Sequence, residues 1–222
     1  MKKITLILIV LLASVTMSFS QTISVSGSVA DLPVFRPVEE TKGSRYLFDD
    51  WVRGFVLSPD GTICKDSSYG FEYDKIEGGL LLTQDKKSVI RVDNSKIKSF
   101  TLYDKQNQPE VFVLAPQIDP VHYVQVIADG AKFRIYKFTQ THFVKNNYHT
   151  DGIATTGNNY DEYVDDNTYY VLNVQNNQLK ELSLKRKAIK TVFGNGADSY
   201  LSSNPGTIDD EYLKKLGDFV NE

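Results

Sequence analysis

The 222-residue chain holds one cysteine, three histidines and one tryptophan. The lone Cys64 cannot close an intramolecular disulfide, so stability must come from packing. His122, His142 and His149 are scattered and form no H-E-x-x-H, and one thiol cannot build a thiolate zinc site. No G-x-S-x-G is present, and Ser95-Lys96-Ile97-Lys98 matches S-x-x-K without the companion motifs that give that pattern meaning. Gly194-Asn195-Gly196 lacks the lysine of a phosphate loop. A basic excess is missing as well. Residues 1–20 carry two lysines and no acid, which leaves 23 basic and 28 acidic side chains after them, a net charge of −5. Non-specific binding to nucleic acid or anionic lipid favours the opposite balance. We therefore expect no nucleic-acid partner.

Long hydrophobic runs are also absent. The one apolar stretch, Ile4 to Val15, follows Lys2 and Lys3 and ends near the small residues Ser18 and Ser20. That pattern reads as a signal peptide over 1–20, cut before Gln21. A membrane span needs roughly 20 apolar residues, so no transmembrane anchor is expected after cleavage. The expected destination is export, periplasmic or extracellular.

Aromatic and β-branched residues are plentiful: thirteen Tyr and twelve Phe accompany many Val and Ile. They favour strands. Residues 21–42 mix Ser, Gly and Pro and read as an extended leader, with Pro33 and Pro37 opposing helix and central strand. From Tyr46 to Asp104, short apolar runs alternate with turns such as Pro59-Asp60-Gly61, the pattern of an antiparallel meander. Asp93 is placed to cap one turn. The clearest hairpin is VHYVQVIADGAKFRIYKF, with Asp129-Gly130 as a two-residue turn. Strict alternation puts Val124, Val126, Phe133 and Ile135 on one face and Tyr123, Gln125, Arg134 and Tyr136 on the other.

Residues 139–167 are polar, rich in Asn and Thr, and read as a loop interrupting the β-domain. Beyond 183 the apolar period becomes helical. Leu184, Ala188, Ile189, Val192 and Phe193 form one stripe, which Gly194 can end. Ile208, Tyr212, Leu216, Phe219 and Val220 form another, with Thr207 as the expected N-cap. The expected organisation is a leader (21–42), a β-domain (43–183) with a polar loop at 139–167, and C-terminal helices (184–222) packed on the same domain. The fold class is mainly β, α+β. It is an antiparallel, strongly twisted sheet or incomplete barrel of about ten strands with two to three C-terminal helices.

Two places invite a binding role. Trp51 stands beside Asp49 and Asp50, although a Trp packed at a sheet edge has the same surroundings. Asp161, Glu162, Asp165 and Asp166, interleaved with Tyr160 and Tyr163, offer oxygen ligands and aromatic faces. Ca²⁺ is the one cation such a run suits, but the spacing and glycine of an EF-hand loop are missing. No other cofactor is expected. An aromatic and acidic surface also suits a glycan or peptide, and a solvated loop is the plainer reading.

Two stretches resemble a known group. GSRYLFDDWVRGFVLSPDG, from Gly43, with Tyr73-Asp74 beyond it, is similar to the opening of a family of uncharacterised exported proteins of Gram-negative bacteria that share a G-S-x-Y-L-F-D-x-W start. YDEYVDDNTYYVLN, followed by L-K-x-L-x-x-K-R-K, resembles their second half. The resemblance implies an exported single-domain protein and brings no activity. The expected function is a non-enzymatic binding or accessory module of the cell envelope, with a protein or glycan partner. The rival expectation is a hydrolase with a dispersed acidic site using Asp161 or Asp165.

Overall fold

Short alternating runs closed by turns pair with their neighbours in the computed structural model, which describes residues 40–151 and 153–222. The signal segment and all but the end of the leader lie outside the described residues. The strands are β1 (Gly54–Leu57), β2 (Ile63–Cys64), β3 (Gly70–Asp74), β4 (Gly79–Thr83), β5 (Ile90–Arg91), β6 (Ser99–Tyr103) and β7 (Pro109–Leu114). They continue as β8 (Tyr123–Asp129), β9 (Phe133–Val144), β10 (His149–Thr150), β11 (Thr155–Thr156), β12 (Glu162–Asn173) and β13 (Gln178–Leu182). Three helices follow, α1 (Arg186–Phe193), α2 (Asp198–Ser203) and α3 (Asp210–Asn221).

The fold is mainly β. Eight strands make an antiparallel sheet in the order β13-β12-β9-β8-β7-β6-β1-β2, and its two edges do not meet, so it is not closed. The strands β3, β4 and β5 form a separate three-stranded sheet. Directly opposed residues of an antiparallel ladder share a face, and one row crosses seven strands: Val56, Phe100, Phe112, Gln125, Lys137, Tyr169, Leu182. Its ends are apolar and its middle is polar. At one end Val56, Phe100 and Phe112 pack with Phe71, Tyr73 and Leu80 of the small sheet. At the other, Tyr169 and Leu182, with Val171 and Ile135 beside them, pack with Ile189, Phe193, Leu213 and Leu216 of the helices. Two covers thus sit on one face of one sheet.

Helix α3 comes very close to that face. A Cβ on Gly217 would lie 2.3 Å from the Ala128 Cβ, so only glycine allows this approach, despite its cost of about 1 kcal/mol in a helix interior. The α3 N-cap is Asp209, whose side chain accepts from the Tyr212 N–H at 2.9 Å, not Thr207. A carboxylate there also complements the helix dipole. Gly194 does end α1, at φ 65°, and Asp93 accepts from the Ser95 N–H as its sequence position suggests.

Two further expectations are corrected. The β8–β9 ladder is not regular: a bulge between Val126 and Ala128 shifts the register, and Asp129 pairs with Arg134 across a four-residue turn. The extra residue reverses the alternation. Ile135 therefore pairs with Ala128 and faces the helices, while Val126 shares the far face with Tyr136. Asn221 at the end of α3 fixes this turn, accepting from Lys132 N–H and Phe133 N–H at 2.9 Å each. Nor is 139–167 a loop throughout. β9 and β12 pair over twelve residues each, from Phe133 with Asn173 to Val144 with Glu162, and β10 pairs with β11 beyond them. The neighbours β8 and β13 stop short of this arm. Strands with little apolar packing need no apolar alternation, so Thr139, Thr141, Phe143, Tyr163 and Val164 signal strand by β-propensity alone.

Among the described residues no helix is long and apolar enough to cross a membrane.

Candidate functional site

The polar middle of the shared row is left between the two covers, where a cleft of about 240 Å³ opens. Its floor is Glu110 and Phe112 of β7, Tyr123 and Gln125 of β8, Lys137 and Thr139 of β9, and Asp165 and Asn167 of β12. Leu47, Tyr73 and Lys75 close it from the small-sheet side, and Asp210, in the first turn of α3, closes it from the helical side.

Its charges are largely paired. Lys75, only 7 % exposed, places Nζ 2.6 and 2.9 Å from the two oxygens of Asp165. The Thr141 hydroxyl donates to the same carboxylate at 2.6 Å. Lys137 Nζ lies 2.7 Å from Asp210, which also accepts from the Tyr169 hydroxyl at 2.5 Å. Burial pushes the Tyr169 hydroxyl well above the usual tyrosine range, and its bond to Asp210 adds to the rise.

Glu110 differs. Gln125 Nε2 donates to its Oε2 at 3.1 Å, and no cation is bonded to it among the described residues. Burial raises its pKa above the ordinary 4.5, the fields of Asp104 and Asp210 add to the rise, and Lys137 opposes it. Tyr123, 3 % exposed, keeps a buried hydroxyl without a partner, and burial lifts its pKa to about 12. The Tyr73 hydroxyl accepts from the Tyr123 N–H at 3.0 Å, tying the small sheet to the floor.

Lys75 bridges the cover and β12 across ninety positions of sequence. Lys75→Met should cost about 1–2 kcal/mol in urea unfolding, because Asp165 stays 39 % exposed and keeps Thr141. Asp165→Asn should cost more than Lys75→Met, because it leaves the buried Lys75 ammonium without its counter-charge, and a smaller loss for the asparagine variant would contradict this ranking.

Of the seven residues singled out by sequence, Asp165 lines the cleft. Strand alternation sends Asp166 to the opposite face, where its carboxylate is 3.5 Å from His142 Nε2. Asp161 accepts from the Asn146 N–H and side-chain amide at 2.8 and 2.9 Å. The Lys42 ammonium sits 3.4 Å over the Tyr160 ring. Glu162 forms a parallel bridge with Lys42, and the Tyr163 ring stacks obliquely on Phe143 at 4.9 Å. The acidic run is therefore spread over both faces of the arm. Among the described residues no three His, Cys, Asp or Glu side chains are grouped to hold a metal ion.

Trp51 lies half-buried at the start of β3, where a Cβ on Gly70 would be 2.9 Å from its own Cβ. The stretch around it clamps β3. Leu47 N–H donates to Tyr73 O, and Val52 and Phe71 exchange backbone hydrogen bonds. Arg45 pairs with Asp74, and Glu72 Oε1 accepts from Phe48 N–H and Tyr73 N–H at 3.2 and 2.9 Å. The backbone of this conspicuous stretch, with Arg45, thus holds the small sheet.

Sequence reading missed Lys75, Glu110, Gln125, Lys137 and Asp210. A signal existed: Gln125 and Lys137 interrupt apolar strands at positions that face inward. Without the register, nothing joined them to each other or to the α3 terminus.

The chain matches no protein-family model, no curated protein and no solved structure.

Proposed function

We propose that the protein is an exported binding module that takes a small polar ligand into the cleft between its two covers. One observation carries this reading: a partly enclosed cavity is lined by groups from five strands and one helix, with its charges held in place by packing and hydrogen bonds. Its size lies just below the ~300–1,000 Å³ of pockets for drug-sized molecules, which suits a ligand of monosaccharide dimensions. Export rests on the Lys2-Lys3 and Ile4–Val15 pattern, as does a site of action in the periplasm or outside the cell. The likeness to exported proteins with a G-S-x-Y-L-F-D-x-W start supports the same destination. A glycan of the envelope, free or carried by a partner, is the proposed source of the ligand.

A hydrolase is the second reading, favoured by Glu110. A carboxyl group of raised pKa sharing a cleft with two other carboxylates resembles the arrangement of an acid and its counterpart. Against it, Asp165 and Asp210 are each engaged by a lysine and a hydroxyl, which leaves neither free as a base or nucleophile.

The test is thermal unfolding of residues 21–222 against a panel of monosaccharides and short glycans. A ligand that binds only the folded state raises the midpoint with concentration. The expected shift is at least halved in Lys137→Met. A shift that Lys137→Met leaves untouched would place binding elsewhere, and turnover of a chromogenic glycoside lost in Glu110→Gln would favour the hydrolase.

A further inference from the structure

We propose that the ligand of the cleft carries a protonated amino group that docks on Glu110, the chemistry of an amino sugar. This deepens the binding reading and rests on it. The argument is one of uncommitted groups. Lys75 and Lys137 are both spent on aspartates inside the cleft, so among the described residues no free cation is left there for a carboxylate, phosphate or sulfate on a ligand. An acidic sugar or an α-amino acid would have to displace Asp165 or Asp210. Three carboxylates against two ammonium groups leave one negative charge without a partner, and the hydrogen bonds place it on Glu110. Gln125 occupies Oε2, while Oε1 has no partner among the described residues.

Glu110 is partly desolvated by the cleft walls, and the fields of Asp104 and Asp210 add like charge. An ammonium group there relieves both penalties at once, and a neutral hydroxyl relieves neither to the same degree. Around it, Asn167, Thr139 and Gln125 present amide and hydroxyl groups suited to ring hydroxyls, and Phe112 and Leu47 supply apolar wall. Discrimination should therefore fall on the amine, with the hydroxyl pattern setting the scaffold.

Isothermal titration of residues 21–222 at neutral pH with glucosamine, galactosamine and mannosamine, each beside its neutral parent hexose, tests this. At least one amine should bind about tenfold or more tightly than its parent. Glu110→Gln should bring the pair to within about twofold while the unfolding midpoint stays near that of the wild type. Amine affinity should also fall as acid protonates Glu110, an effect missing from Glu110→Gln. Equal binding of amine and parent overturns the inference and leaves the binding reading standing, as does a preference that survives Glu110→Gln. No binding by any amine or hexose overturns both.

Discussion

Phe100→Ala is expected to lower stability by about 4 kcal/mol, the range for losing a buried aromatic side chain in a core that does not collapse. Phe100 is fully buried and sits among three other rings. Its centroid lies 5.0 Å from that of Phe112 in a stacked arrangement, 4.9 Å from Tyr123 edge-on and 5.6 Å from Tyr73. Offset and edge-to-face contacts contribute beyond area alone, so the substitution removes transfer energy, three ring contacts and the filling of the space beneath the small sheet. Urea unfolding should show a lower midpoint with an unchanged slope, since the surface exposed on unfolding hardly alters. Because Tyr73 and Lys75 reach the cleft from that cover, ligand affinity should weaken too. A loss below about 1 kcal/mol would mean that the small sheet is not held by this cluster.

Glu72 should make the protein less stable as pH rises from about 4.5 to about 7. Its side chain is 5 % exposed, and burial raises its pKa from 4.5 to about 7 against the pull of backbone N–H donors from Tyr73 and Phe48. The folded state then holds a proton that the unfolded state has released. Stability from this group is complete below about pH 4.5, declines through the interval and is lost above about pH 7, a change of about 3 kcal/mol. Glu72→Gln mimics the protonated form: its amide oxygen can still accept from Phe48 and Tyr73. The variant should match the wild type near pH 4.5 and exceed it by about 2–3 kcal/mol at pH 8. Asp49, Asp50, Asp60 and Asp85, whose pKa values are lowered by hydrogen bonds, contribute with the opposite sign and only below the ordinary aspartate pKa. They therefore leave the difference between the two proteins above pH 4.5 untouched. Glu110 acts in the same direction as Glu72. Parallel stability curves for the two proteins from pH 4.5 to 8 would show that Glu72 titrates normally.

Much of the architecture was legible because it is local. The Pro59-Asp60-Gly61 turn, the Asp93 cap, the Gly194 stop and the apolar stripe at Tyr212, Leu216 and Val220 each follow from a few neighbouring residues. The candidate site was poorly legible. Asp165 entered through its place in a conspicuous acidic run, yet Asp161 and Asp166 beside it point to other surroundings. Trp51 and the GSRYLFDDW stretch drew attention by composition, and the backbone of that stretch, with Arg45, turns out to fasten the edge of β3.

The sequence by itself determined the class of the fold, the order of most strands and of the C-terminal helices and many of their turns, because propensity, period and turn chemistry act over a few residues. The tertiary structure decided which face each residue occupies and what the cleft contains. A single bulge at Ile127 moves Ile135 to the helical side, since the side-chain period of a strand is two and one extra residue inverts it. The pairs Lys75–Asp165 and Lys137–Asp210 join positions 90 and 73 residues apart. Contacts at that separation form only once strand pairing has closed the intervening loops, so no local pattern of residues encodes them.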